Sequence, residues 1–179
     1  MPSKSIQSSI ALQPKEYNFS ILGALESSCI NQKVKVFLVS GVGLEGDLLL
    51  MSNDVLVIKK DKDADVQFIQ ARSATSMSPM NTTPAILSAV KSAFAELSAD
   101  PAFKSDMTII QKHALNIQSR GNPISFYLMS GNKIEGDVVA LDDFGIAVTS
   151  SVGLVFFFWQ YISSVVEVKV DQKPKLKVY

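Results

Sequence analysis

Two stretches of the chain decide its fold: Leu38-Val-Ser-Gly-Val-Gly-Leu-Glu-Gly-Asp47 and Leu128-Met-Ser-Gly-Asn-Lys-Ile-Glu-Gly-Asp137. They share six residues at a constant offset of 90 positions (131 − 41). The same offset aligns Phe68, Gln70 and Ser73 with Phe158, Gln160 and Ser163, and Ala24-Leu25 with Ala114-Leu115. A fixed offset that matches both turn and core residues indicates an internal duplication. The 179-residue chain is therefore expected to hold two small domains rather than one of medium size.

Each copy is predicted to form one helix followed by five short strands. Apolar residues at helical spacing predict helices over Phe19–Ser28 and Thr108–Gln118, the second with Asp106 as its candidate cap. Runs of β-branched and aromatic residues predict strands at 34–39, 44–51, 55–59, 66–70 and near Ala74, and in the second copy at 124–129, 134–141, 146–149, 154–159 and 165–170. Gly46 and Gly136 fall inside predicted strands, where glycine usually marks a sharp bend or a bulge.

A third helix is predicted between the copies. Asn81-Thr-Thr-Pro84 is a typical helix start, and one apolar stripe follows it, formed by Ile86, Leu87, Val90, Phe94 and Leu97. The stripe is expected to pack on a domain or on a neighbouring chain, with a groove-binding partner helix as the alternative. The predicted organisation is an N-terminal extension (1–16), a first module (17–79), a helical connector (80–105), a second module (106–170) and a basic tail (171–179).

The composition limits the classes of function. Hydrophobic residues make up 47% of the chain, while 17 basic residues balance 17 acidic ones, so any affinity for nucleic acid must come from local sites. The single Cys29 excludes an intrachain disulfide and, without a hydrophobic signal segment, favours a cytoplasmic location. The longest apolar run, 152–159, is far shorter than the ~20 residues of a membrane helix, so no membrane partner is expected.

No sequence motif indicates an enzyme or a cofactor site. The stretch 41–46 matches the glycine spacing of a dinucleotide-binding turn, but a strand follows it instead of the helix that such a turn requires. One cysteine and one histidine leave little material for a nucleophile and its base. His113 falls on a predicted helix and is interpreted as a surface or core residue, because a metal site needs several convergent ligands.

The second copy resembles a known family. Pro123-Ile-Ser-Phe-Tyr-Leu-Met-Ser-Gly-Asn-Lys-Ile-Glu-Gly136 is similar to the first Sm motif of Hfq, a ring-forming Sm-like RNA chaperone of bacteria, and Leu141-Asp-Asp-Phe144 continues the likeness. The first copy has Phe37 for the motif's tyrosine and Gly43 for its lysine. The resemblance implies a mainly β fold with short helices, in which two tandem Sm-like modules, each a helix and a five-stranded, strongly bent open barrel, are joined by the connector.

The second Sm motif departs from the family. Hfq carries a Tyr-Lys-His run whose lysine and histidine meet uridine-rich RNA at the pore of the ring. The gapless alignment places Phe158-Trp-Gln160 and Phe68-Ile-Gln70 at these positions, so both copies lack the lysine and the histidine.

The resemblance nevertheless implies RNA-binding positions. Tyr127, Gly131 and Lys133 match the adenosine-binding face, and Phe144, Trp159 and Gln160 stand near the uridine-binding pore. Phe37 and Gln70 are the corresponding candidates in the first copy, which has Gly43, Asp54 and Ile69 at the remaining positions and so loses a cation and two rings. We therefore predict alternating competent and weakened sites. The alternative is that Tyr127, Phe144 and Trp159 only pack between modules, as large aromatic residues often do.

The resemblance also implies self-association. The edge strands of an Sm module need partners, and a ring supplies them. A ring of six modules would be a homotrimer with a mass of 3 × 19.5 = 58.5 kDa. Two hypotheses remain: a ring that binds A-rich or U-rich single-stranded RNA, with a role in post-transcriptional regulation, or an Sm-like oligomeric scaffold that has lost RNA binding.

Overall fold

The computed structural model describes residues 20–52, 54–60 and 65–168. The predicted N-terminal extension and basic tail therefore lie outside the described residues, as does Phe19 of the first predicted helix. The fold is mainly β with a few short helices, as predicted. None of the helices in the described part of the chain has the length and apolar character needed to cross a membrane.

The secondary structure occurs in two similar series, which we call the first repeat (20–79) and the second repeat (109–168). The first contains α1 (Ile21–Cys29), β1 (Lys33–Leu38), β2 (Gly43–Met51), β3 (Val55–Lys59), β4 (Val66–Gln70) and β5 (Ala74–Pro79). The connector forms α2 (Pro84–Ala99) and α3 (Pro101–Asp106). The second contains α4 (Ile109–Ser119), β6 (Ile124–Leu128), β7 (Lys133–Leu141), β8 (Gly145–Ser150), β9 (Gly153–Phe158) and β10 (Ile162–Glu167). A short 3-10 turn precedes the last strand of each repeat.

The cap predicted for α4 was wrong. Asp106 ends α3, a helix that the sequence pattern did not separate from the connector. Thr108 caps α4 instead, because its hydroxyl accepts from the Gln111 backbone N–H while the Gln111 side chain accepts from the Thr108 N–H. This reciprocal capping box satisfies two of the backbone donors that a helix start leaves free.

The ten strands of the described residues form one open antiparallel sheet in the order β10-β6-β7-β8-β9-β5-β1-β2-β3-β4. This continuous sheet differs from the expected pair of five-stranded barrels. The two repeats meet where β5 pairs with β9, with Ser76 opposite Phe157 and Met77 opposite Phe156. Pairing at this junction satisfies the backbone groups of two strands that separate modules would leave as edges. We call this contact the in-chain joint.

The strand registers of the first repeat recur in the second. Val34 pairs with Gly46 and Ile124 with Gly136, an offset of 124 − 34 = 90. The last two strands follow a different offset, because Gln70 and Phe158 occupy equivalent positions opposite Val55 and Gly145 (158 − 70 = 88).

The two-residue change of offset corrects the gapless alignment. The connection between β3 and β4 (60–65) is longer than that between β8 and β9 (151–152). Phe68 is therefore equivalent to Phe156 rather than to Phe158. The positions that the resemblance gives to Tyr-Lys-His are occupied in the first repeat by Gln70-Ala-Arg72, not by 68–70.

Two strand glycines allow neighbouring strands to approach closely. A Cβ atom on Gly46 would lie 2.5 Å from the Lys59 carbonyl oxygen, and one on Gly136 would lie 2.2 Å from that of Thr149. The register shifts two to four residues later, between Leu48 and Leu50 and in the equivalent part of β7. The bend or bulge predicted at these glycines thus falls a short way along the strand, and the glycines themselves allow the close approach.

The connector helix packs on both repeats. Thr83 caps α2 by accepting from the Ile86 backbone N–H. Ile86 and Val90 are buried in the core that contains α1, whereas Leu97 is buried in the core that contains α4. The predicted apolar stripe is thus covered within the chain. The core of the first repeat also includes residues contributed by the second: Val139, Ala140, Ala147, Leu154, Phe156 and Phe158.

Candidate nucleic-acid interface

A cavity of about 620 Å³ lies at the in-chain joint. We call it the joint cavity. The first repeat contributes Phe37 and Leu38 from the end of β1, and the second contributes Lys133 and Glu135 from β7 and Val155 from β9. Its wall therefore combines an aromatic ring, aliphatic side chains and a cation, which are the groups that hold a base and its phosphate.

The joint cavity brings together predicted residues from different repeats. Phe37 and Lys133 line it, whereas Tyr127 and Gly131 do not. Tyr127 is equivalent to Phe37, so it occupies the matching position at the far end of the sheet and is 40% exposed. Gly131 supplies the left-handed turn between β6 and β7, with φ of 86°. Lys133 thus shares the joint cavity with Phe37 and also lies beside its strand partner Tyr127, as the predicted pairing of these two residues expects.

A cation lies over the aromatic ring in both repeats. The Lys133 Nζ is 6.0 Å from the centre of the Tyr127 ring, and the Lys35 Nζ is 5.3 Å from that of Phe37. The predicted loss of a cation at Gly43 is therefore offset by Lys35 on the neighbouring strand. A Cβ on Gly43 would already contact Lys35 and Phe37 at 3.4 Å, so a longer side chain there would compete for the same space.

Both cations are paired with carboxylates. Lys35 forms an ion pair of 2.8 Å with Glu45, and Lys133 forms one with Glu135. The hydrogen bond between Lys133 and Glu135 raises the pKa of the lysine and lowers that of the glutamate, which also accepts from the Ser125 hydroxyl at 3.1 Å. A phosphate must therefore compete with a carboxylate for each ammonium group.

A second cavity of about 260 Å³ also spans the two repeats, and we call it the aromatic pocket. It brings together three predicted residues of the second repeat, Phe144, Trp159 and Gln160. Leu22 and Arg72 complete it from the first repeat. The predicted uridine-binding positions thus converge, and the pocket includes a guanidinium group that the sequence prediction missed.

Arg72 was missed because of the gapless alignment. With the corrected offset it is equivalent to Gln160, at the position that the resemblance gives to the histidine of the second Sm motif. The Arg72 Nε–H donates to the Gln70 side-chain oxygen at 2.8 Å. Gln70, a predicted binding residue of the first copy, therefore contacts Arg72. Alignment of the short turn before the last strand of each copy would have matched Arg72 with Gln160.

Asp142 lies beneath the aromatic pocket and is buried. One carboxylate oxygen accepts from the Ile21 N–H at 2.9 Å, and the other accepts from the N–H groups of Phe144 and Gly145, each at 2.9 Å. Its carbonyl oxygen accepts from the Trp159 indole N–H at 2.6 Å. Burial raises the pKa of Asp142 to about 6, against the opposing effect of these backbone hydrogen bonds.

The described residues contain no cluster of three or more His, Cys, Asp or Glu side chains that could hold a metal ion. His113 is exposed on α4, so of the two environments expected for it, surface or core, it occupies the surface. The buried thiol of Cys29 has its pKa raised to about 11 by burial, which makes it a weak nucleophile.

No protein-family model matches the chain, and no match is found among curated proteins. The chemistry of the two cavities must therefore be judged from their own residues. Both lie between the repeats, and both combine aromatic rings with a cation. Such walls suit the stacking of bases and the binding of phosphates.

Apolar side chains are exposed near the β4 edge of the sheet. Phe68 and Val66 on the edge strand β4 are 75% and 44% exposed, and Leu50 on β2, which β3 separates from β4, is 42% exposed. Their equivalents in the second repeat, Phe156, Leu154 and Ala140, are fully buried at the in-chain joint. The same apolar surface is therefore exposed in the first repeat and buried in the second.

Proposed function

We propose that this chain is a non-enzymatic, Sm-like RNA-binding protein. Its two repeats act as tandem Sm-like modules, three chains close into a ring, and single-stranded A-rich or U-rich RNA binds in the cavities between modules. The observation that carries the proposal is the in-chain joint, where edge-to-edge strand pairing creates two cavities that combine rings with cations.

The repeat architecture supports the Sm-like part of the proposal. Each repeat has one helix followed by five short antiparallel strands with matching registers. The second strand of each contains a glycine that permits close approach and, shortly after it, a register shift. Such irregularities bend a sheet strongly. The same plan is implied by the resemblance of 123–136 to the first Sm motif of Hfq.

The in-chain joint also provides a template for contacts between chains. Shifting its register to the equivalent residues (76 + 88 and 157 − 88) places Ser164 of one chain opposite Ile69 of the next. Val165 then lies opposite Phe68. Pairing in this register would cover the exposed Phe68 and satisfy both free sheet edges, which otherwise are prone to uncontrolled association.

A buried polar atom on the same edge supports this contact. The side-chain carbonyl oxygen of Gln67 is the one buried side-chain polar atom in the described chain without a hydrogen-bond partner. Buried polar groups normally have partners. In the proposed assembly Gln67 occupies the position of Val155, at the wall of a cavity, where a neighbouring chain or a bound base supplies a donor.

RNA binding is tested by fluorescence anisotropy of labelled oligo-A and oligo-U at several salt concentrations. Salt-dependent binding is expected because phosphate contacts release counterions. Phe37→Ala should weaken oligo-A binding and Trp159→Ala oligo-U binding, each by about 1 to 3 kcal/mol for one lost stacking contact. Val42→Ala, another exposed apolar residue of the first repeat that does not line the joint cavity, is the control and should bind both oligomers normally.

A second function, an oligomeric scaffold without RNA binding, is favoured by one observation. Lys35 and Lys133 are both paired with glutamates, and the chain has no net charge. The two functions differ in the titration at low salt. Binding of neither oligomer to an assembled protein would reject the RNA-binding function and leave the scaffold.

A further inference from the structure

We propose that Asp142 is a positioning residue that couples the shape of the aromatic pocket to the joint between the two repeats. The ligand of the pocket rests on the proposed function, whereas the coupling itself rests on contacts within the chain. Asp142 belongs to the second repeat, but one of its carboxylate oxygens binds the start of α1 in the first repeat.

The contact with α1 satisfies a helix terminus from across the joint. The first N–H groups of a helix lack partners within the helix, and their partial positive charge favours an anion. Ser20 accepts from the Gly23 N–H and leaves the Ile21 N–H to Asp142 at 2.9 Å. Because both partners are buried, loss of this hydrogen bond leaves a donor in the core without an acceptor.

The same residue fixes two rings of the pocket. Its second carboxylate oxygen accepts from the Phe144 N–H and thereby holds the turn that carries the Phe144 ring. Its carbonyl oxygen accepts from the Trp159 indole N–H at 2.6 Å, and also from the Gln111 side chain at 3.0 Å. The start of α1 and both rings are therefore joined through one residue.

The first repeat lacks this arrangement. The equivalent of Asp142 is Ser52, whose hydroxyl accepts from the N–H groups of Asp54 and Val55 in the local turn. The equivalents of Phe144 and Trp159 are Asp54 and Ala71, neither of which has a ring. The start of α4 has its own capping box, which satisfies the N–H groups of Thr108 and Gln111. Within the described residues, this combination of two rings and a buried carboxylate therefore occurs once, at the in-chain joint.

Coupling of this kind is reciprocal. If the joint holds the rings in place, a base that fills the pocket must stabilise the joint to the same extent. Leu22, which lines the pocket, follows Ile21 directly in α1. Ligand binding should therefore slow amide hydrogen exchange at the start of α1, although most of the pocket belongs to the second repeat.

Asp142→Asn tests the coupling in the absence of RNA. The asparagine has one side-chain oxygen instead of two. Its NH2 group therefore faces either the Ile21 N–H or the turn N–H groups, and those donors lose their acceptor. Trp159 is the only tryptophan, so its fluorescence reports on the pocket directly. We expect emission at longer wavelength and stronger quenching by acrylamide, with an unchanged far-UV circular dichroism spectrum. Glu96→Gln, which changes an exposed carboxylate of α2 that does not line the pocket, should leave the emission unchanged.

With oligo-U as the probe, Asp142→Asn should bind roughly tenfold more weakly, within the range that coupled sites show. Exchange at Ile21 and Leu22 in the unchanged chain should slow on oligo-U binding, a measurement that does not depend on how the variant folds. Unchanged Trp159 emission in Asp142→Asn, or unchanged exchange on binding, would overturn the coupling. If oligo-U does not bind at all, the proposed ligand is rejected, and the emission of the ligand-free variant still decides the positioning role.

Discussion

Phe156 and Phe68 occupy the same position in the two repeats but have opposite environments. Phe156 is fully buried where β9 pairs with β5, whereas Phe68 on the outermost strand β4 is 75% exposed. A phenylalanine at an exposed sheet edge is a liability for a protein that remains alone. The comparison supports the proposal that the duplicated sequence encodes two equivalent joints, of which a single chain completes only one.

The two edges also differ in what they add to the core. Residues of the second repeat, including Leu154 and Phe156, enter the core of the first repeat across the in-chain joint. Their equivalents, Val66 and Phe68, have no core to enter within the same chain. Substitutions at matched positions should therefore affect folding in one repeat and assembly in the other.

Phe156→Ala should have the largest effect of the predictions made for this comparison. Loss of a buried phenylalanine costs about 3 to 5 kcal/mol of the free energy of unfolding, which urea denaturation measures. Phe68→Ala should change the unfolding of a dissociated chain by less than about 0.5 kcal/mol, as is usual for exposed positions. Instead, it should shift assembled protein towards single chains in light scattering. Equal destabilisation by both substitutions would contradict the difference between the two edges.

Gly136→Ala should have the next largest effect, because the added methyl group would lie 2.2 Å from the Thr149 carbonyl oxygen. Such overpacking typically costs about 1 to 3 kcal/mol. Gly43→Ala is the matched strand substitution, since its methyl group meets only side-chain atoms at 3.4 Å, and it should be nearly neutral. Thermal unfolding followed by circular dichroism checks both variants, and a stable Gly136→Ala protein would show that the strands need not approach so closely.

The in-chain joint should also respond to pH. The folded-state pKa of Asp142 is about 6, above its ordinary value of 3.8, so the contribution of this group to stability is fully present below pH 3.8. It is lost as the pH rises through about 6, by up to about 3 kcal/mol at 1.4 kcal/mol per pH unit. The stability of the natural chain relative to Asp142→Asn should therefore decrease between pH 4 and pH 7. An increase over this range would indicate a lowered pKa instead.

The smallest effects are expected at the cations over the rings. Lys35→Met and Lys133→Met each remove an exposed ion pair, and such pairs contribute about 0 to 1 kcal/mol to stability. If these ammonium groups contact phosphates, each variant should reduce the salt dependence of oligo-A binding by about one counterion. If Lys133→Met reduces the salt dependence of oligo-A binding more than Lys35→Met does, the joint cavity contributes most of the phosphate contacts.

Much of the fold could be predicted from the sequence because its signals are local. Alternation of apolar residues, and turn residues such as Ser-Gly, located all ten strands to within a few residues, and the apolar stripe located α2. The two-residue change of offset before β4 and β9 could not be predicted, because the loop that precedes these strands differs in length and sequence between the two copies. The pairing of β5 with β9 is a long-range contact, which no local pattern specifies.

Some residues of the candidate site could be predicted from the sequence, but the way they combine in the two cavities could not. Phe144, Trp159 and Gln160 do converge in one pocket, as their predicted roles required. Arg72 and Lys35 were missed because each supplies a cation from a neighbouring strand or turn rather than from the aligned position. Phe37 and Lys133 share the joint cavity because the in-chain joint places the end of one repeat against the middle of the other.

The mass of the protein in solution tests the central claim most directly. Light scattering over a range of concentrations should give 58.5 kDa, the mass of three chains of 19.5 kDa, with both sheet edges paired in a closed ring. Phe68→Glu, which places a charge in the proposed joint between chains, should give 19.5 kDa with unchanged circular dichroism. A mass of 19.5 kDa for the natural chain at every concentration would contradict the assembly.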